Sequence, residues 1–366
     1  MKNLKIKWGN LAYNVGIALI VALVFMISPL YAIGASLVIG VLLGFAPQIR
    51  TAVFYMAVQK EIWTKDIEED IFKDNQFLNF AFNADENVVG GAIVHIPQSG
   101  GAGNVVKNRT ALPANIRKRN DTDVLYALDE FTTDPVLIPN ADNYELSYDK
   151  RDSVLGEDRQ KLTQTIAEEM IYNWLNSPVD PTATLPANKI LLTSGALAPA
   201  TGSGATGTRK IAGLNDLQAV ATSLRNENRW FEGKMNALLP ASMLAEMFPA
   251  DSVTTATYMN QVSEQERRSG ILYKAQGFNI LSRSSVVACD NAGVIKAPGT
   301  AGAATDDEAA LFWYTNAVER ALGEILMFEQ LGVPTMYGDV YSFLVRMGGR
   351  ARRAAYEGIR LLKKSK

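Results

Sequence analysis

His95 and Cys289 are the only imidazole and the only thiol in a chain of 366 residues. One cysteine forms no intramolecular disulfide and no cysteine metal cluster. One histidine removes most zinc sites and confines Ser-His-Asp or Cys-His chemistry to a single position. His95 stands in VVGGAIVHIP, an apolar alternating run, which predicts a strand residue and not a catalytic base. Carboxylates are plentiful, so counting alone does not exclude a hydrolase built on a carboxylate pair. Yet no Asp or Glu falls in a G-x-S-x-G, H-E-x-x-H or phosphate-loop context. The acidic run Glu68, Glu69, Asp70 lacks the glycine-bearing oxygen-ligand loop that calcium prefers and reads as the solvated face of a helix.

Two glycine-rich stretches imitate nucleotide loops. Gly100, Gly101 and Gly103 lack the third glycine at the required offset, where Val106 stands, and no helical pattern follows. TGSGATGTRK (201–210) sets Lys210 three residues beyond its final glycine where a phosphate loop needs one, so it reads as an exposed loop. Asn108-Arg-Thr110 is a glycosylation sequon only in a secreted chain. No catalytic, cofactor-binding or metal-ligating residue is assigned, and no cofactor is expected.

The net charge is −2, unevenly spread. Residues 1–55 hold Lys2, Lys5, Lys7 and Arg50 and no acid, leaving 32 basic against 38 acidic residues, a net of −6, in 56–366. An acidic body argues against a dedicated nucleic-acid binder and for weak, unspecific contact at most. Residues 8–49 carry no charge, with apolar blocks Leu11–Ser28 and Leu30–Phe45 parted by Pro29. They fit a helical hairpin in a membrane, a processed signal or prosegment, or a mis-extended start before Met56. A membrane is a partner only if residues 11–45 are retained.

The element that must position the rest is a long helix. Leu155, Leu162, Ile166, Met170 and Trp174 share one face of Ser153–Leu175, with polar residues between them, Asp152 and Ser153 as candidate caps and Asn176-Ser-Pro178 as its stop. Before it, Val58–Phe80 reads as an amphipathic helix and Asn87–Pro97 as a strand. Val124–Leu128 and Val136–Ile138 read as a second strand pair, making a long two-stranded excursion with a mobile tip. After it, strands are expected at Ile190–Leu192, Met235–Leu239, Gly277–Val287, Ala310–Tyr314 and Gly338–Met347, and helices at Asn215–Arg225, Ala241–Met247 and Val318–Ile325. From Arg346 to Lys366 there are eight basic residues and one acid, Glu357. They read as a solvated strand and frayed tail, or as a surface facing phosphates or an acidic partner.

That order of elements resembles the major capsid proteins of tailed bacteriophages, the Hong Kong 97-type coat fold. The resemblance runs from about Met56 to the end. MAVQKEIWTKDIEEDIFKDNQFL looks like the N-terminal arm; GGAIVHIPQ and DVLYALDEFTTDPVLIPNADNYELSYDKRDSVL look like the extended loop and peripheral strands. LGEDRQKLTQTIAEEMIYNWL looks like the spine helix, KMNALLPASMLAEMF and SGILYKAQGFNILSRSSVV like axial-domain pieces, and YGDVYSFLVRMGGRARRAAYEGIRLLKK like the return to the peripheral domain. It implies an α+β fold with the apolar hairpin added at the front. The implied divisions are 1–55 apolar, 56–86 arm, 87–135 extended loop and strands, 136–186 peripheral domain with the spine helix, 187–335 axial domain, and 336–366 return strand and basic tail. It implies a structural subunit, not an enzyme, forming hexamers and pentamers of an icosahedral virion shell around double-stranded DNA, assembled in the host cytoplasm. Further implied partners are scaffolding, portal and decoration proteins. Lys107 and Lys118 are candidate donors for the covalent cross-link of some relatives, but no motif fixes either and no cross-link is expected. Residues 1–55 depart from the family, whose N-terminal scaffolding segments are charged. The alternatives are a shell protein of a cellular nanocompartment with the same fold, and a membrane-anchored extracytoplasmic enzyme or binding protein.

Residues 98–120 have no core of their own by composition. Their amides should exchange quickly in the isolated subunit and slowly in an assembly; equal protection in both states would contradict this.

Overall fold

The computed structural model describes residues 75–88, 93–110, 112–114, 116–139, 150–177, 179–180 and 182–366. The apolar 1–55 segment, the acidic run and most of the expected helix Val58–Phe80 lie outside these residues.

The expected strand at Asn87–Pro97 is found as β2 (Ile93–Gln98), which pairs antiparallel with β3 (Thr122–Ala127), bringing His95 opposite Leu125. Alternation decides which side is dry: Val94, Ile96, Val124 and Tyr126 are buried together with Ala84, Val88, Leu128 and Ala321. The expected pairing of Val124–Leu128 with Val136–Ile138 is corrected. β4 (Asp129–Thr132) and β5 (Val136–Pro139) both pair with β15 (Gly338–Ala351). A strand of 14 residues has edge enough for two short partners laid end to end.

β15 pairs antiparallel with β14 (Val318–Val333), whose other neighbour is the short parallel β1 (Phe82–Asn83). The helix expected at Val318–Ile325 is therefore strand. Val318, Glu319, Arg320, Ala321 and Leu322 are all buried, so both faces are covered and the period-2 signal is lost. A register shift between Leu322 and Ile325 blurs it further, at Gly323, where a Cβ would meet Val88 at 2.6 Å.

The long helix α1 (Lys150–Leu175) begins three residues earlier than expected, which places Asp152 and Ser153 inside its first turn and not at a cap. Its 26 residues span about 39 Å. The expected stripe is buried, widened by Ala167, Ile171 and Leu175, and it packs on β15.

The second sheet has seven strands: β10 (Tyr273–Ala275), β11 (Phe278–Arg283), β9 (Met235–Pro240), β13 (Asp307–Tyr314), β16 (Ile359–Lys363) and β6 (Ile190–Leu192) in that order, with β12 (Val287–Cys289) also on β13. One face carries α2 (Leu214–Asn226) and α3 (Ala241–Met247). Leu217, Val220, Ala221, Leu224, Met243 and Met247 pack there on Ala237, Phe278, Ala310, Phe312 and Leu362. Residues between those on β13 point to the opposite face. There Trp313 meets Trp174 of α1, ring centroids 5.7 Å apart. β7 (Leu197–Pro199) and β8 (Thr208–Lys210) form a separate small ladder, and α4 (Val253–Asn260) and α5 (Glu264–Arg268) precede β10.

These sheets do not follow the expected cut at residue 335. β14 lies in the five-stranded sheet, and β16, expected to return to the peripheral side, pairs with β13 and β6 in the other. The chain crosses between the sheets after Tyr314 and again after Ala351, because the buried position between β13 and the edge strand β6 is filled only by the final strand.

Gly349 sets the distance between α1 and β15. A Cβ there would lie 2.5 Å from Met170 Sδ and 2.6 Å from the Glu319 carbonyl oxygen. Gly349→Val should lower the stability read from urea unfolding by about 1–3 kcal/mol, the usual cost of overpacking.

Candidate assembly surfaces and a buried charge network

His95 is on the exposed face of β2, with Nδ1 2.6 Å from the Asp123 carboxylate on β3. It is a strand histidine at the foot of the excursion, as its alternating context predicts. Cys289 is fully buried, and burial pushes its thiol up to about 12. Asp306, Asp307 and Glu308 stand side by side next to a cavity of about 210 Å³, but each carboxylate is engaged. Lys296 reaches Asp306 at 2.6 Å, and its ammonium together with the Ala303 N–H holds Asp306 below the usual carboxylate range. Asp307 receives Arg209, and Lys363 at 3.1 Å; Glu308 receives the Thr201 and Ser242 hydroxyls, each at 2.6 Å. All three carboxylates are thus held by side chains of the same chain, which fixes their positions beside the cavity.

Arg209 explains the second glycine stretch. Residues 201–208 are largely exposed loop, as expected, but the side chain that follows turns inward to Asp307 and to the carbonyls of Thr206 and Thr208.

Most of the closing basic segment departs from both of its expected readings, Arg353 and Lys366 alone among its cations being exposed. Arg360, Lys363 and Lys364 are buried. Arg360 lies 2.8 Å from Glu227, which Lys189 also binds, and its Nε donates to Ser223 Oγ at 2.8 Å. Burial pushes Glu227 up, but the hydrogen bonds from Lys189 and Arg360 outweigh it and hold the carboxyl below its ordinary value. Lys364 lies 2.7 Å from Glu246 and donates to the Thr201 hydroxyl at 2.8 Å. Upstream, Arg350 donates to the Leu125 carbonyl and Arg352 lies 3.0 Å from the buried Glu319. Long cationic side chains are buried only where partners compensate their lost hydration. The partners lie from 33 residues away, for Arg352 and Glu319, to 225, for Arg350 and Leu125, so no local pattern announces them.

The free surface is elsewhere. In the loop joining β2 to β3, all described residues from 101 to 123 are exposed. Its base is held by its own polar groups. Arg117 donates to the Gly100 and Ala102 carbonyls, and Asp121 accepts from the Gly100 N–H and from Arg119, which hold its carboxyl below the ordinary range, Arg119 first. Its apolar side chains have nothing to cover them: Val105 is 98%, Leu112 80% and Ile116 100% exposed, interleaved with Lys107, Arg109 and Lys118. Exposure that complete marks a surface shaped for contact beyond its own subunit. At the hairpin between β14 and β15, Phe328, Leu331, Met336 and Tyr337 are likewise exposed.

A two-stranded excursion, a helix of 26 residues on a long hairpin sheet, and a seven-stranded sheet closed by the last strand together match solved phage shells. The capsid of Ralstonia phage GP4 matches with a TM-score of 0.58 at 13% identity, covering 78% of this chain and 87% of that one. The fold is that of tailed-phage major capsid proteins. The cyanophage Pam1 capsid asymmetric unit matches at 0.53 and 8% identity, over 77% and 88% of the two chains. The capsid of cyanophage P-SCSP1u matches at 0.51 and 13%, over 78% and 85%. No family model matches this chain, and no curated protein matches it. The coat fold leaves no described helix long and apolar enough to cross a membrane.

With its thiol pushed up and out of contact with water, Cys289 should resist a soluble disulfide reagent at pH 8 in the native protein and react at once in denaturant. Labelling in native buffer at the rate of a free thiol would refute its burial.

Proposed function

We propose that this chain is a structural shell subunit, a major capsid protein that assembles with copies of itself into hexamers and pentamers of an icosahedral shell around double-stranded DNA. The observation that carries this is the coat fold over more than three quarters of the chain, joined to an exposed loop with apolar residues that its own subunit leaves uncovered. In this reading the β2–β3 loop lies over a neighbouring subunit, α1 is the spine, the five-stranded sheet belongs to the peripheral domain and the seven-stranded sheet to the axial domain. Residues 56–86 serve as an arm to another subunit. Assembly takes place in the host cytoplasm, and scaffolding, portal and decoration proteins are further partners. Contact with packaged DNA is weak and unspecific, in keeping with the net charge of −6 in residues 56–366.

Expression of the full chain and of residues 56–366, followed by electron microscopy and sedimentation, tests the reading. Closed shells or capsomer rings are expected from one or both. Monomers alone under every salt, pH and crowding condition would defeat it.

A further inference from the structure

A second polar concavity lies at the foot of the excursion, away from the exposed loop tip. It has a volume of about 320 Å³ and is walled by Gln98 and Ser99 at the end of β2, by Phe231 and Tyr314, and by Arg352 and Arg353 after β15. Arg229 and Glu357 also line it and neutralise each other. Arg352 is spent on Glu319 and lies over the Phe82 ring, 4.0 Å from its centroid. Arg353 is exposed and has no carboxylate partner among the described residues. Beside these cations Phe231 stacks on Tyr314, centroids 4.3 Å apart and planes 25° apart, with Phe231 still 41% exposed. The site therefore offers one uncompensated guanidinium next to a flat apolar surface.

We infer that this concavity is a docking site for an acidic side chain, with an apolar neighbour, presented by a second copy of this chain. The inference rests on the shell reading and adds to it a specific contact. One open guanidinium is too little to hold a free oxyanion, so the ligand must arrive as part of a larger interface. A nucleic-acid strand brings many phosphates and meets an acidic body with only one free cation here, which disfavours it. A second copy brings what the site lacks: an excess of acidic residues, among them the exposed Glu86, Asp134, Glu157 and Asp251. Arginine is the suited receptor, since its planar fork receives a carboxylate through two parallel hydrogen bonds.

The test compares the full chain with Arg353→Glu and Arg353→Lys. The Arg353 side chain has no partner among the described residues, and its one bond, the carbonyl accepting from the Tyr356 N–H at 3.0 Å, is backbone that substitution keeps, so both variants should unfold at the wild-type temperature. By light scattering and sedimentation, Arg353→Glu should raise the protein concentration needed for assembly at least tenfold, with Arg353→Lys in between. Assembly of Arg353→Glu at the wild-type concentration would overturn the docking site and leave the shell reading standing. A wild-type chain that never associates would overturn both. Binding of a 20-nucleotide single-stranded DNA that is lost in Arg353→Glu, with assembly unchanged, would assign the pocket to nucleic acid and overturn the proposal.

Discussion

Trp174 has to be buried with its indole N–H satisfied, and the rest of the subunit is arranged around that requirement. The N–H donates to the Glu319 carbonyl of β14 at 3.0 Å, so the last turn of α1 is tied to one sheet. Its ring meets Trp313 of the other sheet, and Phe77 closes edge-on at 5.9 Å. Trp313 in turn donates to the Phe80 carbonyl at 2.9 Å, and Asn75 donates to the Thr163 carbonyl on α1. Three aromatic rings and three hydrogen bonds thus fix one helix, two sheets and the segment 75–80 at one joint. A buried polar atom left without a partner costs about 1–3 kcal/mol, so the helix cannot slide by a turn without losing these bonds together.

Around that joint the charges are organised by burial. Glu319, a residue of the strand that receives the indole, accepts from the Tyr126 hydroxyl at 3.0 Å and pairs with Arg352. Burial first, and then the neighbouring Glu319 charge, pushes the Tyr126 hydroxyl far up, so it stays a donor at any working pH. The same logic fills the seven-stranded sheet, where Arg209, Lys363 and Asp307 form a buried group linking β8, β16 and β13. Such groups add little net stability over an apolar core, but they penalise any register that separates the partners. The last strand is thereby fixed in one place, between β13 and β6.

How much of this the sequence disclosed depended on whether one face of each element met water. The stripe of α1, the helices at 214–226 and 241–247 and the strand at 235–240 are legible because polar and apolar positions separate. β14 is not, since Glu319 and Arg320 are buried beside Val318 and Ala321 and the pattern reads as a helix. The basic closing segment is misread for the opposite reason: charge is taken as a sign of solvent, while Glu227, Glu246 and Asp307 lie far off in sequence. The candidate contact surface was partly legible. The glycine-flanked, coreless loop announces itself by composition, whereas the pocket at Arg353 is built from segments 98–99, 229–231, 314–317 and 352–357 that only the fold brings together.

The contrast between the buried and the exposed cations carries the last step. Residues that hold the subunit's own geometry, such as Lys364 and Arg360, have their charges compensated inside the chain. Those on the excursion and at its foot, Lys107, Arg109, Lys118 and Arg353, do not. These four cations sit beside uncovered apolar side chains: Val105, Leu112 and Ile116 at the tip, Phe231 at the base. Apolar area supplies the drive to associate and unpaired charge supplies the choice of partner. Within the chain the two sheets have their buried charges compensated, while the excursion leaves apolar side chains uncovered, which is where the proposed contact with a second copy draws on both terms.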